Sequence, residues 1–559
     1  MTQPTLDQLI SIAVKHHQAG QLADAARIYR QVLGDRPDHP HALHLLGVVA
    51  MQSGRPDVAV ELIRRAIAID SSHADFHSNL GTALNEARHP DQAVTAYRQS
   101  LRLRPATPET YSNMGNALTA LGQIEAAIAA YREALRLRPA YADALNNLGS
   151  ALTTQRKFDE AIACLRQALN LNVSYPAAWN NLANALRCTG DFDGALQAYG
   201  QALRLKGDYA DAYNGMGLAC EEKGDTDGAL QAICEAVRLN PNLADAHTNL
   251  AMHWLLRGDF ERGWPEYEWR WQLKGAPLPQ TSFVQPRWKG EDLNGRTVLL
   301  YAEQGVGDTI QFIRYAPLVK QRGGRVMFVC MPEVAPLLVN FAGVDEMVPQ
   351  GTLPPFHLHC PLLSLPMIFN TRVETIPASV PYLKADPRLS EQWSMKLQSR
   401  PGRLKVGLAW AGRPTHADDA RRSMRLAQLA PLAQVKGVTF FSLQKGEAAA
   451  ESARAPAGMD LIDCAADLHD FADTAALVSQ LDLVVAVDTA VAHLAGAMGK
   501  PVWVLLPFKP DWRWLLDRND TPWYPTMRLF RQGGKREWDG VTEEVAKVLH
   551  DWSSGMRPQ

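Results

Sequence analysis

The feature that most constrains this chain is a period. Strides of 34 residues through the first half of the sequence return the same residue types at the same phase. One register reads Pro37, Ser71, Pro105, Pro139, Val173, Gly207 and Pro241. A second reads Ala13, Gly47, Gly81, Gly115, Gly149, Ala183, Gly217 and Ala251. A third is alanine throughout, at 25, 59, 93, 127, 161, 195 and 229, and a fourth reads Gly20, Gly54, Arg88, Gly122, Arg156, Gly190, Gly224 and Gly258. Small residues at a fixed phase let paired helices approach closely. Glycine suits the end of the first helix of each pair, and proline suits the point where the second cannot continue. Such a hairpin cannot bury its apolar face alone and must stack on its neighbours into an α-solenoid. Seven good repeats and a degenerate eighth, from about Leu243, fit between residues 5 and 272. The eighth ends in Trp264, Tyr267, Trp269 and Trp271, a cluster suited to capping the open solenoid end or welding it to the next domain.

The period and signature resemble those of tetratricopeptide repeats. Beyond Gln272 the pattern stops, and the 559-residue chain has room for further domains. A proline-containing connector over 273–294 leads into short apolar strands alternating with helices. Strands are expected at 297–302, 325–330, 405–410, 439–443, 483–487 and 502–506, with a proline-rich, irregular stretch over 351–403 and a closing helix over 541–552. Strands separated by helices imply parallel sheets. Two such series predict two doubly wound, Rossmann-like halves, at 295–385 and 386–559, after a solenoid over 1–272. Ligands in such folds bind at the carboxyl ends of strands.

Net charge near zero gives no nucleic-acid or membrane-surface signature. The first residues lack a basic segment and a long apolar run, and seven cysteines lack paired spacing, so a reducing cytoplasm is the expected compartment. No Walker loop, HExxH or GxSxG pattern occurs. Asp191-Phe192-Asp193 and Asp225-Thr226-Asp227 look like metal-binding pairs but fall at turns between helices, where aspartate caps a helix start. No metal and no other cofactor is expected.

Four segments of the second half are candidates for chemistry. Gly305 and Gly307 flank a strand-to-helix turn that ends in Asp308, which reads either as an N-cap or as a general base at a cleft rim. Asp488, Thr489 and Ala490 follow an apolar strand and open a helix carrying His493 one turn further on. Backbone amides and a hydroxyl there can cradle a phosphate. Arg413, Arg421 and Arg422 follow another strand and suit phosphate oxygens. Finally, Asp511, Trp512, Arg513, Trp514, Arg518, Trp523 and Tyr524 offer rings for stacking on sugars or bases, or for plain packing.

GVGDTIQF in the first half and DTAVAHLAGAMGKPVWVLL in the second resemble the bacterial heptosyltransferase-like enzymes of glycosyltransferase family nine, which have the GT-B fold. The resemblance implies Asp308 as base and Asp488, Thr489 and His493 as holders of a nucleotide sugar's phosphates. It places Arg421 or Arg422 on those phosphates, and Gln444 and Lys445 near the donor nucleoside. Transfer would be inverting and metal-independent. Repeats ahead of such an enzyme resemble the O-linked N-acetylglucosamine transferases and the flagellin-modifying glycosyltransferases of some bacteria. In the first of these, an asparagine in each repeat binds acceptor backbone. Here Asn79, Asn113, Asn147, Asn181 and Asn249 share one register, interrupted by Leu45 and Gly215. Asparagine is a mediocre helix former, so its recurrence needs a reason: peptide recognition, or bonding between neighbouring helices.

The expected function is therefore a protein O-glycosyltransferase that takes a sugar from a nucleotide sugar to Ser or Thr of a protein, with flagellin one candidate. Nucleic-acid binding and membrane insertion are not expected. A lipid or oligosaccharide acceptor, with the repeats recruiting a partner, and a non-catalytic scaffold stay open as alternatives.

Overall fold

The computed structural model describes residues 5–273, 283–351, 353–397, 403–416 and 418–555. The chain divides into two compact units, Met1–Pro241 and Asn242–Gln559.

Among the described residues, the first unit is a stack of seven helical hairpins, from Leu6–Gln18 with Leu22–Asp35 to Ala210–Lys223 with Thr226–Leu239. The alanine register is the seam of each hairpin, and all seven of its members are fully buried. The glycine register faces the second helix. A Cβ on Gly115 would lie 2.5 Å from the Tyr131 ring, and one on Gly149 would lie 2.5 Å from Leu165. The register at the end of each first helix has positive φ in every hairpin, with Arg88 (63°) and Arg156 (62°) adopting the conformation that glycine supplies elsewhere. Asp191 and Asp225 each cap a helix, accepting from the backbone N–H groups of Gly194 and Gly228 at 2.9 Å, so the two carboxylate pairs are helix starts.

The second unit opens with the eighth hairpin, Ala244–Leu256 and Phe260–Tyr267. Its aromatic end joins the α/β core. The Trp264 indole donates to the Thr371 carbonyl at 2.9 Å, and Phe260 and Trp264 pack on Trp512. The connector expected over 273–294 falls partly outside the described residues.

Among the described residues, ten strands form two all-parallel sheets. The first holds β1 (Thr297–Tyr301), β2 (Arg325–Val329), β3 (Glu346–Val348) and β4 (Leu358–Pro361) in the order β3-β2-β1-β4. The second holds β5 (Leu404–Ala409), β6 (Val438–Ser442), β7 (Leu461–Asp463), β8 (Leu483–Val487), β9 (Val502–Leu506) and β10 (Met527–Arg531) in the order β10-β9-β8-β5-β6-β7. β6, β8 and β9 are buried along their whole length, as strands covered on both faces must be. Helix Asp539–Ser553 covers one face with Val541, Val545 and Leu549. The second sheet has the doubly wound order that reverses at β5 and β8, and a ligand crevice lies outside the carboxyl ends of such a pair. β4 falls within the stretch expected to be irregular, and β3, β7 and β10 were not expected. β3 and β7 have three residues each, too short for a periodic signal.

Candidate active site

Asp308 lies in the first turn of helix Val306–Phe312, directly after β1. Its Oδ2 accepts from the N–H of Gly305 at 3.0 Å; Gly305 is the N-cap, and Asp308 is the third helical residue reaching back to it, not the N-cap itself. Its Oδ1 pairs with the Arg513 guanidinium from the loop after β9. Burial pushes the carboxyl above the usual aspartate range, Arg513 pulls it down, and Asp511 pushes it up again; the net direction is upward. About a fifth of the side chain (18 %) is exposed, so the group is desolvated yet reachable.

Helix Ala490–Ala497 follows β8 and crosses helix Val306–Phe312 closely. A Cβ on Gly307 would lie 2.9 Å from the His493 ring and 3.6 Å from the Ala490 Cα, so glycine is required for this approach. His493 Nδ1 pairs with the Tyr524 hydroxyl at 3.0 Å, and its ring stacks on Trp514 at 5.3 Å. Burial, with Arg513, Arg314 and Arg422 nearby, holds the imidazole well below its ordinary pKa. It is a neutral hydrogen-bonding group, not a cation for phosphate.

Asp488 stands at the end of β8, its Oδ1 3.9 Å from His493 Nε2. Burial first and Asp511 second raise its carboxyl to about 6, while Trp514, Arg422 and Arg513 pull the other way. Thr489 is the N-cap, and its Oγ1 is buried without a hydrogen-bond partner among the described residues. The Nε of Arg422 is in the same condition. Arg422 ends the short helix Asp419–Arg422 after β5, with Nε 3.8 Å from Asp419, and a Cβ on Gly412 would come 2.8 Å from its guanidinium. Buried polar groups are normally paired, so two orphaned donors beside a strand-order reversal suit an anionic ligand.

The other expected residues fall elsewhere. Arg413 is exposed and faces Glu333 at 3.8 Å, and Arg421 is exposed. The Gln444 side chain, expected near the donor nucleoside, is buried and engaged by backbone at both ends. Its Oε1 accepts from Trp410 N (3.0 Å) and Ala411 N (2.9 Å), and its Nε2 donates to the carbonyls of Ala411 and Lys445 at 3.0 Å. Lys445 Nζ donates to the carbonyls of Ala465 and Leu468. Gln444 ties the segments after β5 and β6, and Lys445 those after β6 and β7. Trp512, Trp514, Trp523 and Tyr524 are buried and pack as core, which removes the reading of them as a stacking platform.

Sequence reasoning missed three buried polar residues. Arg270 bonds Glu303 through Nη2 at 3.0 Å and Glu268 through Nη1 at 2.8 Å, fastening the segment after the eighth hairpin to the end of β1. Arg314 reaches the Trp523 carbonyl at 2.7 Å and the Tyr382 hydroxyl at 2.8 Å. Gln311 accepts from Arg513 Nε at 2.8 Å. None of the three left a local signal; Arg270's partner Glu303 did, as a charge placed directly after an apolar strand.

In the first unit, the asparagine register bonds neighbouring hairpins. Asn79 donates to His44 Nε2, Asn147 to Asn116 Oδ1 and Asn181 to Asn146 Oδ1, each at 2.9 Å. Asn146 in turn donates to Asn147 Oδ1 at 3.0 Å, closing a chain of amides across three hairpins. Asn113 lies half-buried at the same phase. Both interruptions have steric causes. Leu45 packs on the core of the first hairpins, and a Cβ on Gly215 would meet the Tyr199 hydroxyl at 2.4 Å. Asn249 belongs to the second unit.

The family comparisons agree with this division. Tetratricopeptide-repeat models match residues 16–74, 115–155, 142–175, 183–224 and 210–243. The model for glycosyltransferase family 9 (heptosyltransferase) matches residues 424–506, a span holding β6 to β9 with Asp488, Thr489 and His493. The chain joins tetratricopeptide repeats to a glycosyltransferase family 9 domain. Asp308 and Arg422 lie outside the matched span. Protein FlbA of Caulobacter vibrioides is 28% identical over 327 residues, 54% of this chain and 54% of that protein. The chain thus spans about half the length of that curated relative. Among solved structures, the Cut9–Hcn1 hetero-tetramer of APC/C is similar at 21% identity and a TM-score of 0.40, over 44% of this chain and 49% of the other. PilF of Pseudomonas aeruginosa is similar at 24% identity and 0.33, over 38% and 96%. No helix among the described residues is long and apolar enough to cross a membrane.

Proposed function

We propose that this protein is an inverting, metal-independent glycosyltransferase that moves a sugar from a nucleotide sugar to a Ser or Thr hydroxyl of a polypeptide. The observation that supports it most is the convergence of Asp308 with the Asp488–His493 loop at one close helix crossing, beside the orphaned donors of Thr489 and Arg422. Thr489, the first amides of helix Ala490–Ala497 and Arg422 bind the donor's phosphates. Asp488, an anion once it ionises, does not hold phosphate itself; it sets the loop and offsets Arg422. The bond from the anomeric carbon to the phosphate oxygen breaks through an oxocarbenium-like transition state, and the acceptor oxygen bonds to that carbon. The acceptor proton passes to Asp308, whose raised carboxyl is the stronger base for it. Fixed donors at the phosphate stabilise the leaving charge without reorganising.

The solenoid is the acceptor-binding element, with an extended peptide meeting the amides of Asn79, Asn113, Asn147 and Asn181. The half-buried position of these asparagines and the uncharged partners they bond favour backbone over side-chain recognition. Flagellin is a candidate acceptor. A panel of nucleotide sugars, assayed for turnover and by calorimetry, tests the enzyme reading. Asp308→Ala is expected to lower turnover at least a hundredfold while leaving donor affinity within a few fold, in the range that removal of a general base costs. Full turnover in that variant would remove Asp308 from the mechanism.

A further inference from the structure

Arg513 is fixed on every side. Its Nε donates to Gln311 Oε1 at 2.8 Å, its Nη1 to Asp511 Oδ1 at 2.8 Å, and its Nη2 pairs with Asp308 Oδ1. Its guanidinium lies 4.5 Å from the Trp512 ring centroid and 5.7 Å from that of Phe312, and only 9 % of its side chain is exposed. It comes from the loop after β9, 205 residues beyond the carboxylate it meets. Asp308 is held from the other side by the Gly305 N–H on Oδ2, so both of its oxygens have a set direction. An isolated helix cap needs only the second of these contacts.

We propose that Arg513 is the positioning residue of Asp308, holding that carboxylate oriented and charged at neutral pH inside a desolvated cleft. The inference rests on the reading of Asp308 as the base. The groups that face Asp308 are Arg513 and Asp511 from the loop after β9, Tyr267 from the eighth hairpin, and neutral His493 behind Gly307. Among the described residues, Arg513 is the one cation in direct contact. Without it, Asp308 and Asp511 would flank a space with two like charges and no counter-ion, and one of them would hold a proton at pH values where a base must be free. Arg513 therefore sets the lower pH limit of the reaction as well as the geometry of the proton transfer.

The test uses the full chain with Arg513→Met and Arg513→Lys, each first checked for native thermal unfolding. With a donor that the wild type turns over, kcat is followed from pH 5 to 9. Arg513→Met is expected to move the acid limb of the profile upward by at least one pH unit, with KM for the donor within threefold. Arg513→Lys is expected to move it back towards the wild type, because a cation is restored without the fork. A limb that stays in place in Arg513→Met, with kcat lowered equally at all pH values, would overturn the proposal. A second readout needs no turnover: isotope-edited infrared difference spectra against Asp308→Asn follow the Asp308 carboxyl directly. Its protonation midpoint is expected to rise by at least one pH unit in Arg513→Met, and an unmoved midpoint also overturns the proposal. A wild type that turns over no donor, with the infrared shift present, would instead count against the enzyme reading.

Discussion

Both units carry exposed ion pairs, and the α/β unit adds buried ones. In the repeat array the ion pairs are local and exposed: Arg132–Glu160 and Arg104–Asp75 join neighbouring hairpins with about half of each side chain in water. In the α/β unit, Arg270–Glu303 is 7 % and 3 % exposed, and Arg513–Asp308 joins residues 205 apart. Exposed pairs contribute little because water and salt screen them. Buried pairs are costly to form and costlier to break, since removing one partner strands the other. The array is held by repeated small-residue seams, and the α/β unit adds a few irreplaceable polar ties around its site.

That contrast is easiest to break at Arg270. Arg270→Met leaves Glu303 buried without a counter-charge and is expected to destabilise the second unit by about 3–5 kcal/mol. Arg132→Met in the array should cost less than about 1 kcal/mol. Thirteen of the fourteen tryptophans lie beyond residue 241, so denaturant unfolding followed by tryptophan fluorescence reads Arg270→Met in the second unit, and far-ultraviolet circular dichroism, to which the helical array contributes strongly, reads Arg132→Met. Equal small effects from the two substitutions would erase the distinction.

Asp488 sharpens the comparison through pH. Its folded carboxyl is raised to about 6, above the ordinary value of 3.8. The unfolded chain therefore releases this proton first as pH rises. The stability linked to protonated Asp488 is fully present below pH ~4 and is lost as pH climbs through about 6. Asp488→Asn should thus stabilise the ligand-free protein at pH 7.5, by on the order of 3 kcal/mol, and have little effect near pH 4. Thermal unfolding at both pH values checks it; a gain that is the same at both would be against the linkage.

The smallest effect belongs to the array. Arg88 and Arg156 occupy the left-handed conformation that glycine takes at the same phase in other hairpins. Arg88→Gly and Arg156→Gly should each stabilise the array by about 0.5–1 kcal/mol, because an L side chain is strained there. Helix melting followed by far-ultraviolet circular dichroism would show it, and a lower midpoint in both variants would contradict it.

The same contrast explains what the sequence disclosed. A seam that recurs every 34 residues is visible in one chain without any relative to compare, so the hairpins, their glycine bends and the aspartate caps were readable. So were long apolar strands such as β8, and with it the Asp488–His493 loop, because strand, turn and helix are contiguous. The Arg513–Asp308 and Arg270–Glu303 ties were not, since each is made by the closure of the fold and neither partner lies near the other in the chain. The bonds of Gln444 were illegible for the same reason: a polar residue after a strand looks free until the neighbouring strand end engages it. The asparagine register was legible as a pattern, but its bonding across hairpins emerges only when the hairpins stack.

The proposed function depends most directly on whether the array binds the acceptor polypeptide. Candidate acceptors, flagellin first, would be co-expressed with the full chain and weighed intact. Wild type is expected to add mass in increments of one sugar residue. The combined Asn79, Asn113, Asn147 and Asn181→Ala variant, shown to retain its helix content and donor binding, is expected to lower that addition at least tenfold. No added mass with the wild type, or undiminished addition by the alanine variant, would contradict it.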